Sequence, residues 1–283
     1  MFPIPIEQTS PATQKLYRFG LPLLLILWLL PIFAIALMSV RTAGDMNSGN
    51  YWGLPSSWRG LDNYIQIFRN TPLFNYIGNS FLVTIPSVIG AITLASLAGF
   101  ALGVYRFRFN LAIFFLFVGG NFVPAQILMI PVRQLTLHMG LYNTTIGLAL
   151  FHIAFQSGFC TFFLRNFIRE LPRELIEAAR IEGASEWRIF SRIVLPLIRP
   201  ALAALSVLIF TFVWNDYFWA TVLTQGSHAM PITGGLYSLN GQWVAQWQLV
   251  SAGSILAALP PVAIFFAMQK HFIAGLTLGA TKG

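Results

Sequence analysis

Long apolar runs separated by short polar segments set the pattern of this chain. They lie at about residues 21–40, 80–104, 111–131, 144–164, 201–223 and 249–268. Each is long enough to span the roughly 30 Å hydrocarbon core of a bilayer as a helix. The pattern predicts an all-α, polytopic membrane protein of about six transmembrane helices. A signal peptide would have a shorter apolar core and a small-residue cleavage site, so the first run reads as an uncleaved span. Residues 1–20 then form a short leader with Lys15 and Arg18, and 21–283 a single transmembrane domain. No repeat, low-complexity tract or separate soluble domain stands out.

Polar and small residues divide the runs further. Ala91, Ala95, Gly99 and Gly103 recur every fourth residue in the second run, a stripe that lets another helix approach closely. Gly119-Gly120-Asn121 and Pro124 interrupt the third run, with Gln126 beyond, and the fourth carries His152, Gln156, Ser157 and Thr161. Polar groups in hydrocarbon are costly unless they face protein or water, so these side chains are expected to point inward. They either line a route for a hydroxyl-rich solute (Asn121, Gln126, Gln156) or hydrogen-bond between helices. The fifth run contains Trp214-Asn215-Asp216-Tyr217, and Asp216 is the one acidic residue within any run. Asn215 and Asp216 join the same candidate path, with a structural bond from Asp216 to a neighbouring helix as the alternative. The sixth run has Pro260-Pro261 near its middle. Between the first two runs, Leu61, Tyr64, Ile65 and Phe68 recur at helical spacing, which predicts a short helix on the membrane surface or packed against the spans.

Composition agrees with a membrane location. Charged residues make up 9% of the chain and mean hydropathy is +0.69, whereas soluble domains carry about 25% charged residues. A net charge of +8 would suit a nucleic-acid binder, but the basic residues cluster beside apolar runs. With both termini inside, thirteen of the seventeen Lys and Arg are cytoplasmic; Arg41, Arg59, Arg69 and Arg133 are external. The positive-inside rule therefore predicts cytoplasmic termini and no nucleic-acid partner. Cys160 is alone, which excludes an internal disulfide, and its place within a run points to packing. His138, His152, His228 and His271 lack metal-ligand spacing. Gly275 to Lys282 does not meet the phosphate-loop pattern.

Between the fourth and fifth runs, residues 165–199 hold seven of the seventeen basic residues and five of the nine acidic ones. Arg173 to Glu182 contains good helix formers without Gly or Pro, and Pro172 suits a first helical turn. Leu175, Ala178, Ala179 and Glu182 share a predicted face, with Arg173, Glu177 and Arg180 around it. Gly183 permits the left-handed backbone that ends a helix. Ser185 is placed to cap a second helix from Glu186 to about Val194, and Pro196 and Pro200 angle the chain towards the next span.

Glu177-Ala178-Ala179, Gly183, Ile193, Leu195 and Pro196 stand at the spacing E-A-A-x3-G-x9-I-x-L-P. This resembles, at every motif position, the EAA loop of permease subunits of bacterial ATP-binding cassette importers. Asn215-Asp216 among aromatics, the Gln-rich segment 224–248 with Trp243 and Trp247, and the tail from Gln269 through Gly275-Leu276-Thr277 to Gly283 are similar to maltose-type carbohydrate permeases. The resemblance covers the second half of the chain well and the first half mainly in span layout. It implies a bacterial inner-membrane permease, paired as a heterodimer with a second permease, two ATPase subunits and an external solute-binding protein. ATP and Mg would be held by the ATPases, so this chain carries no cofactor and is no enzyme. The motif residues would couple ATPase closure to the spans. An ion-coupled secondary transporter is the main rival, with Asp216 and the broken third run in its favour. A membrane-embedded enzyme lacks a catalytic cluster.

The predicted topology has a direct check. In a Cys160→Ser background, single cysteines at Ser185 and Ser227 should react with an impermeant thiol reagent from opposite sides of the membrane. Labelling of both from one side would reject the six-span arrangement.

Overall fold

The computed structural model describes residues 10–239 and 246–278, with side chains through Lys270. Residues 1–9, Trp243 and the end of the tail, 279–283, lie outside the described residues, as do the side chains of Gly275, Leu276 and Thr277. Among the described residues every regular element is helical. The first are α1 (Pro11–Ser39), α2 (Ala43–Asn47), α3 (Asp62–Asn70), α4 (Leu73–Val104), α5 (Asn110–Gly119) and α6 (Ala125–His138). Then come α7 (Thr145–Arg169), α8 (Arg173–Ile181), α9 (Glu186–Ile189), α10 (Leu195–Leu197) and α11 (Arg199–Trp214). The chain ends with α12 (Phe218–Leu223), α13 (Gly226–Ala229), α14 (Ile232–Tyr237) and α15 (Trp247–Leu278). Two compact units emerge, residues 1–71 with 239–256, and residues 72–238 with 257–283.

In the first unit, α1 begins at Pro11 rather than near residue 21. Ser10 accepts the Thr13 N–H at 3.3 Å, and proline at the first helical position lacks only an N–H that would go unpaired there. The segment after α1 winds around the buried Arg41. Its Nη1 donates to the Asn50 carbonyl at 2.6 Å and its Nη2 to that of Gly53. Asn63 of α3 donates to the carbonyls of Ser39 and Arg41, both at 2.8 Å. The expected short helix is therefore present as α3, but Asn63 and Ile67 are its buried residues. Leu61 and Ile65, predicted on an apolar face, are 71% and 48% exposed.

The second unit is organised by α4 against α7. Ala91 and Ala95 are wholly buried, and a Cβ on Gly99 would stand 3.1 Å from the Arg165 backbone nitrogen. The four-residue stripe thus admits α7 nearly backbone to backbone, as expected. Ser87 bridges the pair, donating to Val83 on its own helix and at 3.3 Å to the Ala149 carbonyl of α7. Cys160 and Leu164 complete the seam, both with no exposed surface. At the far end of α4, Asn79 donates to the carbonyls of Ser227 and Met230, and Ser80 accepts the Ile232 N–H at 2.8 Å. These bonds explain why α4 starts at Leu73, ahead of residue 80: its first turns anchor α13 and α14.

Among the described residues four helices are long and apolar enough to cross a membrane alone: α1, α4, α7 and α15. The third and fifth predicted spans are instead bent pairs, which bring the total to six if each counts as one. Residues 110–122 meet α6 at 99°, so the third run, expected to be interrupted at Gly119-Gly120-Asn121 and Pro124, folds as two helices. Pro124 forces Val123 into extended backbone (ψ 122°), which ends the first helix. Residues 186–197 meet α11 at 73°, before Pro200, which has no N–H to carry the helix back through Ile198. The fifth span is also shorter than predicted: α11 stops at Trp214, and α12 is a separate short helix. Trp214 holds this end by donating from Nε1 to the Ala257 carbonyl at 2.9 Å.

Because the α4–α7 seam has no room for a side chain at Gly99, Gly99→Val should destabilise the protein by about 1–3 kcal/mol. Thermal unfolding in detergent measures this, with Gly78→Ala, where a Cβ meets nothing within 4 Å, as the control that should lose no stability.

Candidate coupling loop and intramembrane polar residues

Two short helices joined at Gly183 make up the charged loop. Pro172 occupies the position before α8, and Ile176 and Ala179 of that helix are buried. Glu177 and Ala178 are exposed, so the four residues predicted to share a face divide: Ala179 faces inward, whereas Leu175 is 46% exposed. At the end of α8, Gly183 takes φ +80°. Its N–H donates to the Arg180 carbonyl at 3.0 Å, and the Ala184 N–H to that of Ala179 at 2.9 Å. These two bonds are the Schellman closure of a helix, which uses a left-handed residue at this position. A Cβ on Gly183 would meet nothing within 4 Å, so backbone conformation alone demands glycine there.

Ser185 has extended backbone at the start of α9, but its side chain makes no capping bond. The predicted second helix exists in altered form. After α9 the chain widens into a π turn at Phe190–Val194 and resumes as α10. Pro196 supplies no N–H to the Arg192 carbonyl, and the looser register falls immediately before it. Of the motif residues in this half, Ile193 and Leu195 are half-buried and pack against the same core cluster that holds Ile176, Ala179, Ile189, Phe190 and Val194. Pro196 is half-buried as well. That cluster includes Leu164 and Ile168 of α7 and Leu205 of α11, so the loop's inner face is continuous with the core of the spans.

A polar staple fixes the outer side of the hinge. Arg180 donates to the Glu186 carboxylate from Nε (2.8 Å) and Nη2 (3.2 Å), and the Tyr105 hydroxyl donates to the same carboxylate at 2.5 Å. The bond from Arg180 holds Glu186 below the usual carboxylate range. Burial and the adjacent carboxylate raise the Tyr105 hydroxyl above its ordinary value. The sequence pattern did not reveal Tyr105 as a partner, since it follows α4, far away in the chain. Opposite the buried face, Ile181 and Trp187 stand 88% and 67% exposed.

The candidate path residues do not gather in one place. Asn121 donates to the Phe117 carbonyl at 3.1 Å and lines a cavity of about 600 Å³ between α5, α6 and α7. The cavity walls are mainly apolar, and neither Gln126, Gln156, Asn215 nor Asp216 belongs to them. Gln126 and Asn215 are exposed and Gln156 is half-buried. Asp216 sits in the break between α11 and α12, where its carboxylate accepts the N–H groups of Trp219 (3.3 Å) and Ala220 (3.0 Å). It also lies 3.5 Å from Nε2 of the buried His152 on α7. That contact is an approach of charge and ring without hydrogen-bond alignment, because neither His152 nitrogen has a bond partner among the described residues. The hydrogen bonds of the Asp216 carboxylate therefore go to the first turn of α12, and its approach to α7 is a contact without a bond. Among the described residues no group of three or more His, Cys, Asp or Glu is placed to hold a metal ion.

Comparison with known proteins places these features in context. The family model described as "Binding-protein-dependent transport system inner membrane component" matches residues 12–277. The chain is 33% identical to the arabinooligosaccharides transport system permease protein AraQ of Halalkalibacterium halodurans, over 98% of this chain and 99% of that one. It is 31% identical to the melibiose/raffinose/stachyose import permease protein MelC of Bacillus subtilis, over 90% and 91% of the two chains. Among solved structures, the fold matches a chain of a bacterial ABC transporter involved in the import of the acidic polysaccharide alginate. The TM-score is 0.78 at 22% identity, covering 96% of this chain and 100% of that one.

The two roles of Asp216 can be separated by substitution. Asp216→Ala removes the cap of α12 and should cost about 0.5–2 kcal/mol in unfolding measurements. Asp216→Asn keeps an acceptor and should recover most of that loss. An Asn variant as unstable as the Ala variant would make the charge facing His152 the important term.

Proposed function

This chain belongs to the family of inner membrane components of binding-protein-dependent transport systems, and from that premise we propose that residues 165–199 are where its ATPase docks. The chain is a multi-pass permease of an ATP-binding cassette importer. The observation that carries the docking proposal is the division of α8 and α9 into two faces. Ile176, Ala179 and Ile189 are rooted in the core of the spans, while Glu177, Ala178, Ile181 and Trp187 are presented outward. A rigid hinge, set by Gly183 and the Arg180–Glu186 pair, joins the two helices. Force applied to the outer face would therefore pass into α7 and α11 through packed side chains. Ile193, Leu195 and Pro196 would hold the far end of the lever at the 73° bend.

In this reading a second permease completes the path as a heterodimer, two ATPase subunits bind and hydrolyse ATP with Mg, and an extracytoplasmic binding protein delivers solute. Both termini and the loop are cytoplasmic. The relatives named for oligosaccharides favour a sugar or related polyhydroxylated solute, with Asn121, Gln126, Gln156 and Asn215 as candidate polar groups along its route. Ion coupling finds no comparable support, since the carboxylate of Asp216 is engaged in capping α12.

Gly183→Val places a β-branched residue at φ +80°, a strain of roughly 1–3 kcal/mol directed at the end of α8. Glu177, exposed on the outer face of α8, would pair with a basic residue of the ATPase, and Glu177→Ala removes that partner, a loss of about 2–5 kcal/mol. Both should sharply reduce ATPase co-purification and solute-stimulated hydrolysis while insertion survives. Gly140→Val is the matched control: φ is +67° there and a Cβ again meets nothing within 4 Å, but the residue follows α6. Wild-type assembly and uptake in both loop variants would overturn the docking role.

A further inference from the structure

We propose that a recess between the ends of α4, α7 and α8 binds the phosphate headgroup of an anionic phospholipid. The recess has a volume of about 350 Å³, and Arg106, Arg169, Arg173 and Arg180 line it with a single carboxylate, Glu177. Arg180 is already engaged by Glu186. The ion pairs among the described residues leave Arg106, Arg169 and Arg173 without a carboxylate within 4 Å. Three exposed guanidinium groups from three different segments thus converge on one recess that holds one negative group. Glu170 and Glu174, on adjacent turns, are not among its lining residues.

Depth in the membrane selects the ligand. α4 and α7 run to 32 and 25 residues, longer than the about 20 residues that cross hydrocarbon. The apolar runs of both helices stop at about residues 104 and 164, and Arg106 and Arg169 lie just past those stops, at the level where headgroups begin. Gly103 keeps those two ends close, since a Cβ there would meet Ile168 at 3.3 Å and Arg169 at 3.6 Å. Val104, Ile168 and Ile176 form an apolar floor beneath the charges. A planar guanidinium donates two parallel bonds to phosphate oxygens, and basic pockets between spans at the cytoplasmic face suit anionic headgroups. A glycerophosphate with its acyl chains beside α4 and α7 meets both the charge and the apolar floor; a soluble anion meets only the charge. Bound there, the lipid would tie α8 to the ends of two spans and so bias the orientation of the loop. The site depends on the cytoplasmic placement of this loop, and Glu177 is the lining residue it shares with the proposed docking face.

The test uses the permease purified with its partner subunits in mild detergent. Native mass spectrometry would follow retention of dioctanoyl-phosphatidylglycerol, dioctanoyl-phosphatidylcholine and inorganic phosphate, each added alone and in competition. The wild type should hold phosphatidylglycerol roughly tenfold or more tightly than phosphatidylcholine, and millimolar phosphate should not displace it. The triple variant Arg106→Gln/Arg169→Gln/Arg173→Gln should lose that preference, and Arg108→Gln, outside the recess, should keep it. If the triple variant fails to assemble, protection of these arginines from phenylglyoxal in the wild type decides instead. Phosphatidylglycerol, and not phosphatidylcholine, should protect them. Unchanged preference in the triple variant, or equal protection by both lipids, overturns the proposal. Displacement by inorganic phosphate makes it a soluble-anion site. Loss of the ATPase with lipid retention intact gives the recess to an acidic side chain of that subunit, and either result also overturns it. None of these results alters the outcome of Gly183→Val, so this site and the docking role fail separately.

Discussion

The close approach of α4 and α7 is the constraint on which the second unit depends. Hydrocarbon offers no hydrophobic drive for two apolar helices to associate, so their attraction comes from packing at short range and from bonds that cross the gap. Ala91, Ala95 and Gly99 remove the side chains that would hold the backbones apart, and Ser87 adds a bond to the Ala149 carbonyl. Several other helices of this unit attach to that pair. α5 lies against α7 where Gly158 leaves space for Asn121, α11 packs along α4, and the first turns of α4 hold α13 and α14.

The charged loop is held along its length as well as at its ends. A loop tethered only by its ends would absorb a push, whereas α8 and α9 are sealed to α7 and α11 through Ile168, Ile176, Ile189 and Val194. Arg180, Glu186 and Tyr105 then lock the hinge from the water side. Each of these bonds is worth little alone in an exposed setting, because solvent screens the charges. Their contribution is geometric: they hold two short helices, each too short to be stable alone, at one angle.

Several polar residues in the apolar part of the unit bond to the backbone of the protein itself. Asp216 closes the N-terminus of α12, Asn121 returns a bond to its own helix, and Ser157 donates to the Ile153 carbonyl. The broken elements of this protein need such groups, since each break frees backbone N–H and C=O groups where water is scarce. Thr84, Thr161 and His152 are exceptions, buried without a bond partner among the described residues, and His152 lies 3.5 Å from Asp216.

Local rules made much of this legible in the sequence. Apolar runs located the spans because a helix must satisfy its own backbone in lipid, and that requirement acts through composition and length. Small residues at four-residue spacing announced the α4 seam, and the EAA spacing announced Gly183 as a left-handed terminus, because both signals depend on near neighbours in the chain. Tertiary structure decided the rest. Which groups the Asp216 carboxylate meets depended on where α12 begins and where His152 arrives from α7. Leu175 and Ala179 look equivalent on a helical wheel, and only the position of α7 determined which is buried. Tyr105 reached Glu186, and Arg106, Arg169 and Arg173 converged on one recess, because α4, α7 and α8 end together. Such meetings join residues far apart in the chain, and no periodicity within a single segment encodes them.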